Sequence, residues 1–261
     1  MLQVERLEKI LEYINEKGTV NIPELVDFFK VSKTTVLRDL KKLDEQDLIV
    51  RVHGGAVSKR NKGTNFEPKY SVKEKQAVKE KQAIAEFAVK HICPGETILL
   101  DSGSTSLMLA KKLSSIKNVT VITNDIKIAM TLSDNDNIEL VVIGGQKRKG
   151  VYSLIGPFAE NLLKQLNVDK VFLGTDAIDI KSGLTNSNIE ELNIKKTMIE
   201  IAKEKILLAD SSKFHKVAFA KISDIHVIDR IITDANFPEE DIKMFEDLGI
   251  AIEISPIENE D

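Results

Sequence analysis

The chain has very little of what staples or anchors a protein: one cysteine, no tryptophan, three tyrosines and six prolines in 261 residues. A single cysteine excludes an internal disulfide, and Cys93, between Ile92 and Pro94, reads as a packed rather than a reactive position. The four histidines, His53, His91, His215 and His226, fall in no HxH or HExxH spacing, so neither a metal site nor a cofactor is expected. No long apolar run occurs, and the opening MLQVERLEKI interleaves charged with apolar residues, as neither a signal peptide nor a membrane span does. These absences predict a cytoplasmic protein independent of membranes, long enough for a small domain and a medium one.

The net charge is a modest -4, which taken as a sum argues against a nucleic-acid partner. Its distribution argues otherwise. Residues 30–62 hold nine Lys plus Arg against four Asp plus Glu, whereas residues 1–29 hold three against six. The basic charge is gathered into one stretch. Within it, VSKTTVLRDLKK (residues 31–42) reads as a short helix with Ser32 as N-cap and Val36, Leu40 and Leu43 on one side. Thr34, Thr35, Arg38, Lys41 and Lys42 are left for the surface, a pattern that suits a helix lying in the DNA major groove.

The flanking sequence supplies a frame for that helix. Val4, Leu7, Ile10, Leu11 and Ile14 form a helical stripe ending near Gly18, and Asn21-Ile-Pro-Glu24 reads as a capping box opening a second helix with Leu25, Val26 and Phe29 inward. Lys30-Val31 makes the tight connection of a helix-turn-helix. Leu48 to Val52 alternates as a strand, and His53-Gly54-Gly55 turns the chain back into Ala56-Val57, which adds a wing. Residues 1–57 are thus predicted to be a winged helix-turn-helix. Arg38, Lys41, Lys42 and Arg51 are assigned to phosphates, and Lys33, Thr34 and Thr35 to the base edges near the helix N-terminus. Ser32, His53 and Gly54 complete the predicted DNA-contact set. Leu37, between the two faces, either fills the core edge or meets a thymine methyl.

Ser58 to Ser71 is polar and basic, with Lys59, Arg60, Lys62 and Gly63, and reads as a linker. From Val72 a long Lys-, Glu- and Ala-rich helix is expected to run to Cys93-Pro94-Gly95. Apolar runs then recur at Thr97–Leu100, Val119–Ile122, Ile138–Ile143, Lys170–Leu173, Lys205–Leu208, Ile225–Ile228 and Ile250–Ile254, with helical stretches between. Residues 72–261 are accordingly predicted to be a mainly parallel α/β domain, whose ligands bind beyond the carboxyl ends of the strands. Two such ends are alike: Asp101-Ser102-Gly103-Ser104-Thr105 and Asp210-Ser211-Ser212-Lys213. A phosphate held by Ser102, Ser104 and Thr105 at a helix N-terminus, with charge from Lys213, fits the first; Ser, Gly and Asp also serve as ordinary turn caps. Further polar ends supply Asn124, Arg148 and Asp176. Of Glu190, Glu191 and Lys195 one is expected to touch ligand, and Glu190 enters the predicted site.

The N-terminal residues Val31-Ser32, Thr35, Arg38-Asp39-Leu40, Leu43 and RVHGGAV (Arg51–Val57) resemble the DNA-binding domain of the DeoR/GlpR family of bacterial transcription regulators. The stretches LLDSGST, VITN, IGG, VDKVFLGTDAID, GLT, EE and ADSSKF resemble that family's sensor domain, which is itself similar to phosphosugar isomerases. The resemblance spans nearly the whole chain. Three positions depart from it: Leu37, where a basic residue is usual, and Asp47 and Ala177, where glycine is usual. It implies a repressor of a sugar-utilisation operon that binds double-stranded operator DNA and is released by a phosphorylated sugar. A homo-oligomer, dimer or tetramer, is expected, because paired wings on repeated half-sites multiply a modest affinity. Two other readings fit the same residues: a sugar-phosphate isomerase or deaminase using Asp101, Asp176 or Glu190, and an activator whose ligand tightens DNA binding.

Overall fold

The periodic stripe at the start of the chain folds as α1 (Gln3–Lys17), with Ile10 and Ile14 fully buried and Leu7 and Leu11 half-buried. The computed structural model describes residues 3–46, 48–58 and 64–256. Asp47, Lys59, Arg60, Lys62, Gly63 and the Val4 side chain lie outside them. Two units result, Met1–Gln76 and Ala77–Asp261.

In the first unit β1 (Thr19–Asn21) leads into α2 (Ile22–Phe29) and α3 (Lys33–Glu45). The Asn21 side chain accepts the Glu24 amide at 2.8 Å, and Ser32 Oγ accepts the Thr35 amide at 3.2 Å. Each cap satisfies a donor that the first helical turn leaves open. Lys30, in the left-handed region at φ 52, makes the turn between the helices. Val36, Leu40 and Leu43 of α3 are buried against Ile10, Ile14 and Leu25, and Leu37 packs at the edge of the same cluster. Leu37 is thus a core-edge residue.

The wing is β2 (Ile49–Val52) turning at His53-Gly54 into β3 (Gly55–Ser58). β1, which no sequence pattern announces, joins it in the order β1-β3-β2. Gly55, read above as a turn residue, permits that pairing: a Cβ there would lie 2.0 Å from the Val20 carbonyl oxygen. Ser58, taken for the first residue of the linker, closes β3 and donates its amide to Gly18 O at 2.9 Å. A short helix, α4 (Tyr70–Lys73), follows.

The second unit is built on seven parallel strands in the order β15-β14-β12-β9-β4-β5-β6. These are β4 (Thr97–Leu100), β5 (Val119–Thr123), β6 (Ile138–Val142), β9 (Val168–Leu173), β12 (Ala202–Leu208), β14 (Arg230–Asp234) and β15 (Ala251–Ser255). The unit's α-helices are α5 (Val78–Ala88), α6 (Ser104–Lys112), α7 (Ile126–Leu132), α8 (Pro157–Leu163), α9 (Leu192–Ile201) and α10 (Glu239–Glu246). Side chains alternate between two cores. Leu99, Val171, Leu207 and Ile231 enter one, and Ile98, Leu100, Phe172, Ile206 and Ile232 the other. Burial on both sides is why these strands read as unbroken apolar runs.

Four expectations are corrected. The helix expected from Val72 is broken where Ala77 adopts φ 49, so α5 starts at Val78; nothing in the structure explains why an alanine takes that position. Ile225–Ile228 is not a strand: Ile225–Val227 forms a 3-10 turn, and Ile225 and Ile228, three apart, are both buried, leaving β14 to begin at Arg230. Gly183-Leu184-Thr185, whose turn-forming glycine and polar threonine suggest the end of a strand, instead lies inside β11 (Gly183–Asn186), which pairs antiparallel with β10 (Ala177–Asp179) and β13 (Ala220–Ser223). Cys93 is exposed, because its neighbour Ile92 takes the packed position at the helix end. Two short strands, β7 (Gln146–Lys147) and β8 (Leu154–Ile155), form a hairpin beyond β6.

Candidate functional site

On the first unit Ser32, Lys33, Thr34, Arg38, Lys41 and Lys42 of α3 are exposed, as are Arg51, His53 and Gly54 of the wing; Thr35 is half-buried. Lys41 lies 3.7 Å from Glu45 and Lys42 donates to Gln3 Oε1 at 3.1 Å, exposed contacts that solvent screens heavily. The Ser32 and Thr35 hydroxyls lie 2.9 Å apart, so both serve the cap. Asp39 faces the other way. It is fully buried and accepts from Arg6 Nε at 2.6 Å, Arg6 Nη2 at 3.2 Å and Gln3 Nε2 at 3.2 Å. The Asp39 hydrogen bond holds the Arg6 guanidinium above its ordinary value against the pull of burial. This carboxylate ties α1 to α3 and thereby sets the attitude of the cationic face. Sequence reasoning placed Asp39 in the motif without finding Arg6, 33 residues away, as its partner.

In the second unit the ends of β4 and β5 lie side by side, Leu100 opposite Thr123. Gly103, at φ 164, is in ordinary extended backbone, and a Cβ built on it meets nothing within 4 Å. Neither conformation nor packing requires a glycine there. No side chain caps α6, which opens at Ser104, so the amides of its first turn remain available to an acceptor from outside the helix. Ser102 Oγ is engaged, donating to Asp125 Oδ2 at 2.5 Å. Asp125 is buried and with its other oxygen caps α7 through the Lys127 and Ile128 amides, at 2.7 and 3.1 Å.

Asp101 is almost fully buried and pairs with Lys195 Nζ; it also accepts the Gly174 amide at 2.9 Å, while Lys195 donates to Gly174 O at 2.9 Å. The pair pins the end of β4 to α9 and to the end of β9. Burial pulls the Lys195 ammonium toward its neutral form, but Asp101 first and Glu191 second outweigh it and hold the group above the ordinary lysine value. Lys195, passed over in favour of Glu190, is the residue of that trio that reaches the β4 loop.

Glu190 is exposed and bonds Arg148 Nε at 3.0 Å, whereas the buried Glu191 accepts from Ser153 Oγ at 2.6 Å and Arg148 Nη1 at 3.3 Å. Asp176 donates its amide to Asn186 Oδ1 at 3.2 Å and accepts the Ser187 amide at 2.9 Å. Arg148, Asp176 and Glu190 therefore gather around Glu191 and the opening of α9. Lys213 is not in the neighbouring loop, since β9 lies between β4 and β12. The loop after β12 is internally satisfied: Ser212 bonds Asp210, and Ser211 bonds Asp234 through its amide at 2.7 Å and its hydroxyl at 3.1 Å. Turn capping accounts for those residues.

The family model described as "DeoR-like helix-turn-helix domain" matches residues 6–62, and "DeoR C terminal sensor domain" matches residues 76–235. The chain belongs to the DeoR family of transcriptional regulators. Among its relatives, the HTH-type transcriptional regulator YulB of Bacillus subtilis, described as uncharacterized, is 37% identical over 98% of both chains. The regulator GlpR of Haloferax volcanii is 34% identical over 97% of this chain and 98% of its own. The glycerol-3-phosphate regulon repressor of Escherichia coli is 31% identical over 97% of this chain and 100% of its own. The DeoR-family chain is thus a DNA-binding regulator with a sensor domain, not a sugar-phosphate enzyme. Among the described residues, no helix is long and apolar enough to cross a membrane.

Proposed function

We propose that this regulator is a cytoplasmic repressor of a sugar-utilisation operon, binding operator DNA as a dimer or tetramer and released by a phosphorylated sugar. The DNA would be met by α3 and the wing, with Arg38, Lys41, Lys42 and Arg51 neutralising phosphates and Lys33 and Thr34 at base edges. The effector's phosphate would lie over Gly103 against the first-turn amides of α6, with Ser104 and Thr105 beside it. The observation that carries this reading is the uncapped start of α6 next to a glycine that the chain itself does not require. The name of the Escherichia coli relative supports both the repressing sign and a phosphorylated signal. Release requires that the effector bind the low-affinity state of the protein more tightly than the DNA-binding state.

Two measurements test it. A thermal-shift screen against sugar phosphates should raise the melting temperature with one class of compound. The same compound should weaken binding to the operator fragment, and tighter binding would replace the repressor with an activator. Arg38→Ala should weaken DNA binding and lower the salt slope by about one unit, leaving the melting temperature unchanged.

A further inference from the structure

Asn124, at the end of β5, is only 1% exposed. Its side-chain nitrogen donates to Leu154 O at 3.1 Å, and its main-chain carbonyl accepts the Leu154 amide at 2.7 Å. Those two bonds fix the orientation of the amide, because turning it over would set Oδ1 against the Leu154 carbonyl. The remaining atom, Oδ1, is buried with no hydrogen-bond partner among the described residues. Buried acceptors are ordinarily paired, so an orphan held in place by its own side chain's other bond calls for a donor from elsewhere. Its location identifies the donor. Asn124 follows Thr123, the register partner of Leu100, so it stands beside Asp101 at the mouth of the 101–105 loop; the next residue, Asp125, holds Ser102 of that loop. Within α6's first turn the Ser106 hydroxyl, likewise 1% exposed, is another buried polar atom without a partner among the described residues.

We infer that Asn124 Oδ1 accepts a hydrogen bond from a hydroxyl group of the effector, so that the sensor selects hydroxyl-bearing organic phosphates over their deoxy counterparts and over the phosphate ion. The inference rests on the phosphate reading of the α6 N-terminus and adds the second point of recognition. A carboxylate or ketone at that position presents only acceptors and meets Oδ1 unfavourably, whereas a hydroxyl donates to Asn124. Asn124 thereby serves as a specificity residue, and Leu154, through its main chain, as the group that aims it.

The test is calorimetric titration of the full-length protein with two pairs of probes and one reference: glycerol 3-phosphate against propyl phosphate, ribose 5-phosphate against 2-deoxyribose 5-phosphate, and inorganic phosphate as the common reference. The wild-type protein should bind at least one hydroxylated member about tenfold tighter than its deoxy counterpart and than inorganic phosphate. In Asn124→Ala that margin should shrink to within about twofold while the affinity for inorganic phosphate is kept. Equal binding of hydroxylated, deoxy and inorganic phosphates by the wild type overturns the inference and leaves the phosphate site standing. So does a margin that survives in Asn124→Ala. Should that variant fail to fold, the wild-type ranking alone decides. No binding of any phosphate compound overturns the phosphate reading and the inference with it.

Discussion

Asp39 and Asp101 are both buried carboxylates joined to a cation, yet they serve surfaces of opposite kinds. Asp39 grips Arg6 and Gln3 on the inward face of α3, so that the outward residues keep their charges for a partner. Asp101 stands at the strand end itself, and with Lys195 and Gly174 it joins β4, β9 and α9 directly beneath the loop that would meet a ligand. A DNA-binding face needs a rigid backing and exposed cations, because phosphates are reached from the surface. A small-molecule site needs its own polar groups satisfied, leaving open only those that the ligand is to complete. Around the 101–105 loop the uncapped first-turn amides of α6 and Asn124 Oδ1 are the groups we propose a ligand completes.

If that contrast is right, the two ion pairs differ in what they cost to break. Lys195→Met strands Asp101 in a site with almost no solvent, and a loss of about 3–5 kcal/mol in urea unfolding is expected. The double variant Lys195→Met with Asp101→Leu should be less damaging than the single one, since it leaves no unpaired charge. A single variant within about 1 kcal/mol of wild type would show that the site admits water and that the pair is not structural. Asp39→Asn comes next, at about 2–3 kcal/mol, because Arg6 retains some exposure and can reach solvent. Its informative readout is DNA binding at a temperature where the variant is fully folded. Weakened binding with an unchanged salt slope would mean that Asp39 acts by setting the pose of α3 rather than by touching DNA.

The same contrast explains what could be read from the chain. The three helices and the wing are local patterns, with stripes, caps and a Gly-Gly turn all within a few residues, and they fold where the sequence places them. The seven apolar runs gave six of the seven sheet strands. The exception, Ile225–Ile228, shares its isoleucines with a turn, and the true strand begins two residues further on. β1 was invisible because three residues carry no period and its partner, Gly55, is needed for a steric reason rather than for a turn. In the candidate sensor site Asp101, Ser102 and Asn124 come together as adjacent strand ends, which a parallel sheet makes foreseeable. Lys195 lies 94 residues from Asp101, and no spacing rule joins them. Lys213 failed for the complementary reason: similar loops suggested neighbouring strands, but β9 runs between them.

Smaller effects sharpen the comparison from the surface side. Among the hydroxyls of the predicted DNA face, Ser32 caps α3 by accepting the Thr35 amide, so Ser32→Ala should lower stability by about 1 kcal/mol while Thr34→Ala leaves it unchanged. Equal effects of the two would remove the cap as the distinguishing feature. Glu24 gives the smallest change and a readable sign. Lys17, then the Tyr13 hydroxyl and the Asn21 amide, hold its carboxyl below the ordinary glutamate value. A carboxyl depressed in the folded state adds stability above its unfolded value, and that contribution fades as pH falls through the folded one. Glu24→Gln should therefore melt slightly below wild type at pH 7, and the two curves should converge in acid below the ordinary glutamate range. The Lys17 partner is exposed, so added salt should narrow the gap at pH 7 as well. Salt should leave the Asp101–Lys195 loss untouched, since counterions do not enter a site where both side chains are less than 5% exposed. A salt-sensitive Lys195→Met effect would erase the distinction between the exposed and the buried pair.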